Sequence, residues 1–439
     1  MIYNIFPSLI FIIIIVVQVK TSKRVVSLYL FIHLLYFFSM VAFLICSIYD
    51  TTYYYSIKAL LLVLVSLMFS LQPLKIVERH ISSESKLKSI NISKYNSIVK
   101  LLIIFGLYSV VFFIRNLVAV FSSDLSVVRY FIENGGSFYT SSLYSKTAVL
   151  GAYLFPISMY FYFYSKIKDY DKFITKTLLI SSSSFIFYTL NVAGRDGIVI
   201  WIFTYLAQMS FFYPMLPKKK KKIEKYSLIV FSIVLVVVFI FITTKRFGNN
   251  SNAMSSVLMS MFEYFGQQLF QLSFRLDKIY LLNYPGEPRL ILSLPMAVKD
   301  FFFQSDVRNN ILNRYELRQL SLNLGLNTQK FSYYIGSIYT ELKLFGVLIL
   351  NLIIYFIGYT NFKIRGNAID CRKLIIPFTW YMILIVGVFY FYYGQLIGNV
   401  FLIIPFLLSL YFRIKLPIFK IGLSKYLIKK SIIKKVVCE

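Results

Sequence analysis

The chain has 439 residues, 58% hydrophobic and 15% charged, with a mean hydropathy of +0.70. That composition excludes an ordinary soluble protein. Repeated apolar runs of about 20 residues can only be spanning helices, because backbone polar groups in hydrocarbon must be satisfied internally. A net charge of +29 would suit nucleic acid, but the basic residues fall mostly in short loops between apolar runs, where an anionic leaflet holds them. No nucleic-acid partner is expected.

The sequence therefore reads as an all-α polytopic integral membrane protein with about eleven transmembrane helices. The spans fall at 2–19, 25–48, 57–74, 101–121, 147–165, 177–193, 198–216, 226–243, 332–360, 374–392 and 400–412. The first run, Ile2 to Val19, has no basic residue ahead of it and Lys20, Lys23 and Arg24 behind it. That order is the reverse of a secretory signal and predicts a retained helix with its N-terminus outside. Alternating the loops puts 20–24, 75–100, 166–176, 217–225, 361–373 and the basic tail 413–439 on one side. Together they hold 31 of the 47 Lys and Arg residues, which makes that side cytoplasmic. The tail reads as a basic amphipathic helix on anionic lipid.

One long segment, 244–331, falls on the outer side and is too polar to span. Within it Met254, Leu258, Met261, Phe262, Phe265, Leu269, Leu272 and Leu276 recur at helical spacing. This predicts an amphipathic helix against the membrane or over a cavity, ended by Pro285. The whole chain, 1–439, reads as a single membrane domain carrying this large outer loop. Cys46, Cys371 and Cys438 are far apart, and no internal disulfide is expected.

Several residues could carry chemistry. Between spans six and seven stands Asn191-Val-Ala-Gly194-Arg195-Asp196-Gly197. In one reading the two glycines allow a hairpin bend and Arg195 snorkels to lipid phosphate, pairing with Asp196. In the other, Arg195 is an anion clamp at the mouth of a cavity. Lys245 and Arg246 leave span eight on the same face, and Arg275, Arg289, Arg308, Arg314 and Arg318 spread positive charge along the outer segment. Arg115 interrupts span four about two-thirds of the way outward, where an ionisable residue implies a partner or a function. Glu341 and Lys343 lie several residues inside span nine on different helix faces, so each needs its own partner. Glu341 is the leading buried carboxylate.

Other chemistries find no residues. The two histidines, His33 within span two and His80 in a cytoplasmic loop, offer no histidine metal site. Asp169 and Asp171 sit among Lys166, Lys168 and Lys172 and read as charge balance. There is no Walker loop and no GxSxG elbow. No metal or other cofactor is expected.

The Gly194-Arg195-Asp196-Gly197 turn and the stretch Tyr334-Ile-Gly336-Ser-Ile-Tyr339-Thr-Glu341…Gly346, set in this many spans with a large outer loop, resemble the Wzy-type oligosaccharide repeat-unit polymerases. The second stretch is similar to that family's Tyr-x-acid…Gly pattern after the loop, with Leu342-Lys343-Leu344 where Phe-Gly is commoner. The resemblance implies a GT-C-like glycosyltransferase acting at the outer leaflet of a bacterial cytoplasmic membrane. It would move a growing glycan from its polyprenyl diphosphate to the sugar hydroxyl of another lipid-linked repeat, in O-antigen or capsule synthesis. Donor, acceptor and membrane lipids are then its partners, with a chain-length regulator and a flippase beside it. Arg195, Arg246, Arg115 and Arg275 would stabilise the departing diphosphate, and Glu341 or Asp196 would accept the hydroxyl proton. An O-antigen ligase or a lipid-linked oligosaccharide flippase remains the alternative; a flippase should place charge at the bilayer midplane.

Overall fold

A computed structural model describes residues 2–21, 27–81, 85–122, 142–192, 194, 196–224, 253–278, 331–362, 368–393 and 396–414, with isolated positions at 226–240, 291–298 and 364–365. The α-helices include α1 (Phe6–Thr21), α2 (Leu28–Tyr49), α3 (Ile57–His80), α4 (Ile92–Ser122), α5 (Leu143–Tyr153), α6 (Phe155–Lys168), α7 (Lys172–Ser182), α8 (Ser184–Leu190), α9 (Asp196–Phe212), α10 (Ala253–Lys278), α11 (Tyr333–Asn361), α12 (Cys371–Ile385) and α13 (Leu396–Arg413). The chain is an all-α polytopic membrane protein: among the described residues, eight helices are long and apolar enough to cross a bilayer. Those are α1–α4, the α7–α8 pair, α9, α11 and α12 with its short 3₁₀ extension.

The predicted span 147–165 is broken into α5 and α6 at Leu154, where Pro156 starts the second helix. The span 226–243 lies mostly outside the described residues; those within it, at 226, 229, 233, 237 and 240, are helical and exposed. The tail beyond 414 and most of 244–331 also lie outside.

The two ends of the bundle differ. At one, a ribbon of two-residue strands pairs Lys86–Leu87 in parallel with Ala368–Ile369, which pairs antiparallel with Ile364–Arg365. The lysine-rich loops are tied down here: Lys168 donates to the Leu87 carbonyl at 2.5 Å and Lys220 pairs with Asp169 at 2.5 Å. Lys220, by its hydrogen bond and its charge, pulls the exposed Asp169 carboxyl below its usual range. Asp171 caps α7 through the Phe173 and Ile174 amides. Glu224 is fully buried and accepts from Tyr162 (3.0 Å) and Tyr205 while pairing with Lys166. Glu78, in the last turn of α3, accepts the Leu28 and Tyr29 amides at 2.7 and 3.2 Å, supplying α2 with an N-terminal carboxylate. His33 is buried, its Nδ1 set against the Tyr29 carbonyl.

α10 falls where the apolar spacing placed a helix, ending at Lys278. It packs along α2, α3 and α11. Leu269 and Leu272 are buried, but so are Gln268, Gln271, Ser273 and Arg275. The helix is held by polar bonds: Ser39 to Gln268 at 3.3 Å and the Ser56 amide to Ser273 at 2.9 Å. A Cβ at Gly266 would lie 2.6 Å from the Ala42 backbone, so this crossing requires glycine.

α11 overturns the reading of span nine as one uninterrupted helix. Tyr334 and Asn351 are 17 residues apart, about 25 Å along a straight helix, yet the Tyr334 hydroxyl donates to Asn351 Oδ1 at 2.7 Å. The helix reverses at Lys343, whose φ of 56° and ψ of −160° are not helical. Residues 333–342 therefore form a short arm folded back on the long arm 344–361. The long arm runs to the ribbon, so the reversal lies at the opposite end. The short arm starts about halfway down the bundle, where Tyr333 meets Ser39 of α2 at 3.0 Å and stacks on Tyr36. Lys343 occupies backbone geometry that suits glycine.

Asn351 closes the reversal. Besides Tyr334 it accepts from Ser70 at 2.8 Å and donates to Ser66 at 2.9 Å and to the Val347 carbonyl at 2.9 Å. Replacing Asn351 with Leu removes the amide that Tyr334, Ser66 and Ser70 share, and should cost about 1–3 kcal/mol. Thermal unfolding in detergent would reveal this as a lowered midpoint; an unchanged midpoint would show that the arms are held some other way.

Candidate functional site

The end opposite the ribbon gathers three of the expected site residues around the short arm of α11. Arg275 reaches this arm from α10. It is buried, and its guanidinium donates to the Gly336 carbonyl at 3.4 Å and to Thr340 Oγ1 at 3.2 Å. Gly336 and Thr340 are one turn apart, so a single guanidinium nitrogen, Nη1, can donate to both. Burial pushes the Arg275 guanidinium down to about 10, which still leaves it cationic at neutral pH. A Cβ on Gly336 would come within 3.5 Å of the Arg275 chain and would collide with Ser332.

Glu341 does not sit deep in an apolar span as the sequence suggested. The reversal at Lys343 puts it two residues from the tip, half-buried, with Oε2 accepting the Ile291 amide at 3.0 Å. Lys343 is exposed at the tip. The cost of charge in hydrocarbon is thus met by position as well as by pairing. The amide of Ile291 belongs to the polar segment 244–331, and through it Glu341 ties this point of the segment to the bundle.

Asp196 opens α9, where its carboxylate faces the positive end of the helix. The preceding turn is built as glycine would require. The Thr189 carbonyl accepts the Val192 and Gly194 amides, and Asn191 donates to the Phe113 and Phe187 carbonyls. A Cβ at Gly197 would fall inside the Thr189 side chain. Asp196 Oδ2 accepts the Tyr390 hydroxyl at 3.4 Å.

Tyr390 belongs to a non-helical stretch between α12 and α13 that joins the two halves of the site. The Phe389 carbonyl accepts the Ser332 amide at 3.2 Å, and the Phe391 amide donates to Ser337 Oγ at 3.4 Å. Ser337 is one turn before Glu341 on the same face of the arm. The connection thus runs from Asp196 through Tyr390 and Phe391 to Ser337, with Arg275 on the neighbouring flank. The sequence reading missed this stretch, because it extended span ten to 392. The signal was the five-residue aromatic run Phe389–Tyr393 itself, which is unusual at the end of an aliphatic span.

Of the remaining expected residues only Arg115 is described, and it is not part of this gathering. Arg195 and Arg246 lie outside the described residues, Arg195 immediately before Asp196 in the chain. Arg115 is exposed on α4, whereas its neighbour Phe113 is buried towards α8. Among the described residues no group of three or more His, Cys, Asp or Glu side chains could hold a metal ion. Chemically the arrangement offers a buried guanidinium, two carboxylates and a tyrosine hydroxyl within one polar end of a membrane bundle.

Because Gly197 has no room for a side chain, Gly197→Ala should destabilise the α8–α9 junction by about 1–3 kcal/mol. Thr189→Gly in the same chain should recover part of that loss, a double-mutant cycle that thermal unfolding can measure. Simple additivity of the two changes would deny the close approach. Compared with protein-family models, curated proteins and solved structures, the chain matches none.

Proposed function

We propose that the chain is an oligosaccharide repeat-unit polymerase, a glycosyltransferase that joins polyprenyl-diphosphate-linked glycan repeats at the outer leaflet of a bacterial cytoplasmic membrane. The observation that supports this most is that Arg275 meets the short arm of α11, which carries Glu341, while Asp196 is linked to it through Tyr390, at the end away from the basic loops. In this reading about eleven spans place the N-terminus outside and the C-terminus in the cytoplasm, following the distribution of Lys and Arg.

The donor is already activated. A sugar hydroxyl of the acceptor attacks the anomeric carbon of the donor glycan, the bond from that carbon to the diphosphate oxygen breaks, and the hydroxyl proton leaves to a carboxylate. Glu341 or Asp196 takes the proton. Arg275, with Arg195 and Arg246 from the adjoining segments, stabilises the charge that grows on the diphosphate. Removing one such donor of charge costs roughly a hundredfold or more in rate. The lipid tails of donor and acceptor remain in the membrane beside the bundle.

The test is the glycan profile of cells lacking the gene, complemented with wild type, Arg195→Ala, Arg275→Leu or Glu341→Gln. Single repeats delivered outside but never lengthened, with the ladder restored by wild type only, is the expected result. Repeats trapped on the inner leaflet would make the protein a flippase. Full-length polymer left on its lipid carrier would make it a ligase. A normal ladder with any one variant removes that residue from the mechanism.

A further inference from the structure

Five aromatic residues run consecutively from Phe389 to Tyr393, and the fold treats one of them differently. Phe389, Phe391, Tyr392 and Tyr393 are buried, at 0%, 7%, 5% and 1% exposure, whereas Tyr390 is only half-buried. Its ring lies nearly parallel to Phe331, with centroids 5.8 Å apart and planes 20° apart. Its hydroxyl is directed to Asp196, at the start of α9.

The backbone on both sides of Tyr390 is fixed. Phe389 is held through its carbonyl by Ser332, and Phe391 through its amide by Ser337. Further on, the Tyr393 hydroxyl donates to the Thr379 carbonyl at 2.8 Å and its own carbonyl accepts Asn399 at 2.6 Å. Beneath Tyr390, Phe331 packs edge-on against Tyr264 at 5.0 Å and, tilted by 54°, against Phe389 at 5.2 Å. A partly accessible aromatic ring is therefore presented on a rigid aromatic base, with a carboxylate at its polar edge.

We propose that Tyr390, backed by Phe331 and edged by Asp196, is a saccharide subsite that binds one pyranose ring of the glycan substrate. The inference rests on the glycan-transfer reading above and names the part of the site that holds the sugar. One face of a pyranose presents aliphatic C–H groups, which an aromatic ring covers without leaving polar atoms unpaired. The hydroxyls at the ring edge need strong acceptors, and a carboxylate provides two oxygens for them. Rigid support keeps the ordering cost of binding low. A residue anchoring the protein in the headgroup layer would need neither the pinned backbone nor a carboxylate from another helix.

The experiment uses the full-length protein in nanodiscs and, as probe, the repeat-unit oligosaccharide released by mild acid from its lipid carrier. Binding is measured by saturation-transfer NMR and calorimetry. Wild type and Tyr390→Trp should bind the oligosaccharide, and Tyr390→Phe should bind within a few-fold of wild type because the ring is kept. Tyr390→Ala should bind about tenfold more weakly or worse, the scale of an aromatic contact. If Tyr390→Ala is poorly folded by thermal unfolding, Tyr390→Leu, which keeps apolar volume without an aromatic face, takes its place and should show the same loss. Equal binding by wild type and the ring-less variant overturns the subsite, as does absence of binding by wild type. Whether the protein polymerises glycan is decided separately by the ladder that wild type restores in deleted cells, so the two ideas fail independently.

Discussion

The hydrogen bond from Tyr334 to Asn351 is the contact on which the end of the molecule opposite the ribbon depends. It joins residues that an unbroken helix would hold far apart, and so it fixes a reversal in α11. Without that reversal Glu341 would lie inside a spanning helix, Gly336 and Thr340 would not face Arg275, and Ser337 would not meet the stretch that carries Tyr390. Asn351 suits the role because its amide has both donors and acceptors, and all are used here by Tyr334, Ser66, Ser70 and the Val347 carbonyl. An asparagine satisfied this fully is stable away from water; one partner fewer would leave a polar atom exposed to hydrocarbon.

The sequence made the helices legible and left the hairpin hidden, for a physical reason. Hydropathy reports whether a residue can sit in lipid or in an apolar interior, and residues 333–361 satisfy that test whether they run straight or double back. What marks the reversal is a backbone conformation at Lys343, and lysine is not a residue that signals positive φ. Gly197 behaved differently. Glycine on either side of Arg195 suggested a tight junction from the letters alone, and Thr189 fills the space that a side chain would need. The stripe of Met, Leu and Phe likewise placed α10. Its bonds to the bundle come instead from Gln268, Ser273 and Arg275, which an apolar count passes over.

The candidate site was partly legible for the same reason. Glu341, Asp196 and Arg275 stood out because charge near an apolar run demands an explanation, whereas Tyr390 and Ser337 did not, because tyrosine and serine are common in membrane helices. Their importance lies in what the fold puts beside them. The Tyr390 hydroxyl meets Asp196 from a different helix, and Ser337 meets a backbone amide 54 residues further along the chain. Neither relation has a local sequence signature.

Charge and neutral polarity are distributed differently along the bundle, and the difference bears on the kind of function it can serve. Among the described residues, the polar contacts halfway down are neutral: Ser39 with Gln268 and Tyr333, and Asn351 with Ser66, Ser70 and Tyr334. Glu78 and Glu224 serve the ribbon end, while Asp196, Arg275 and Glu341 serve the other. A protein that carries a diphosphate through the bilayer must stabilise negative charge at the middle of its path, where desolvation is most costly. A protein that breaks a diphosphate ester at the surface needs that stabilisation only at one end, and needs a rigid wall behind it. In the proposed reaction the reversal of α11 would supply such a wall: its short arm holds Arg275 on one flank and the Tyr390 stretch on another, and its base rests on neutral bonds.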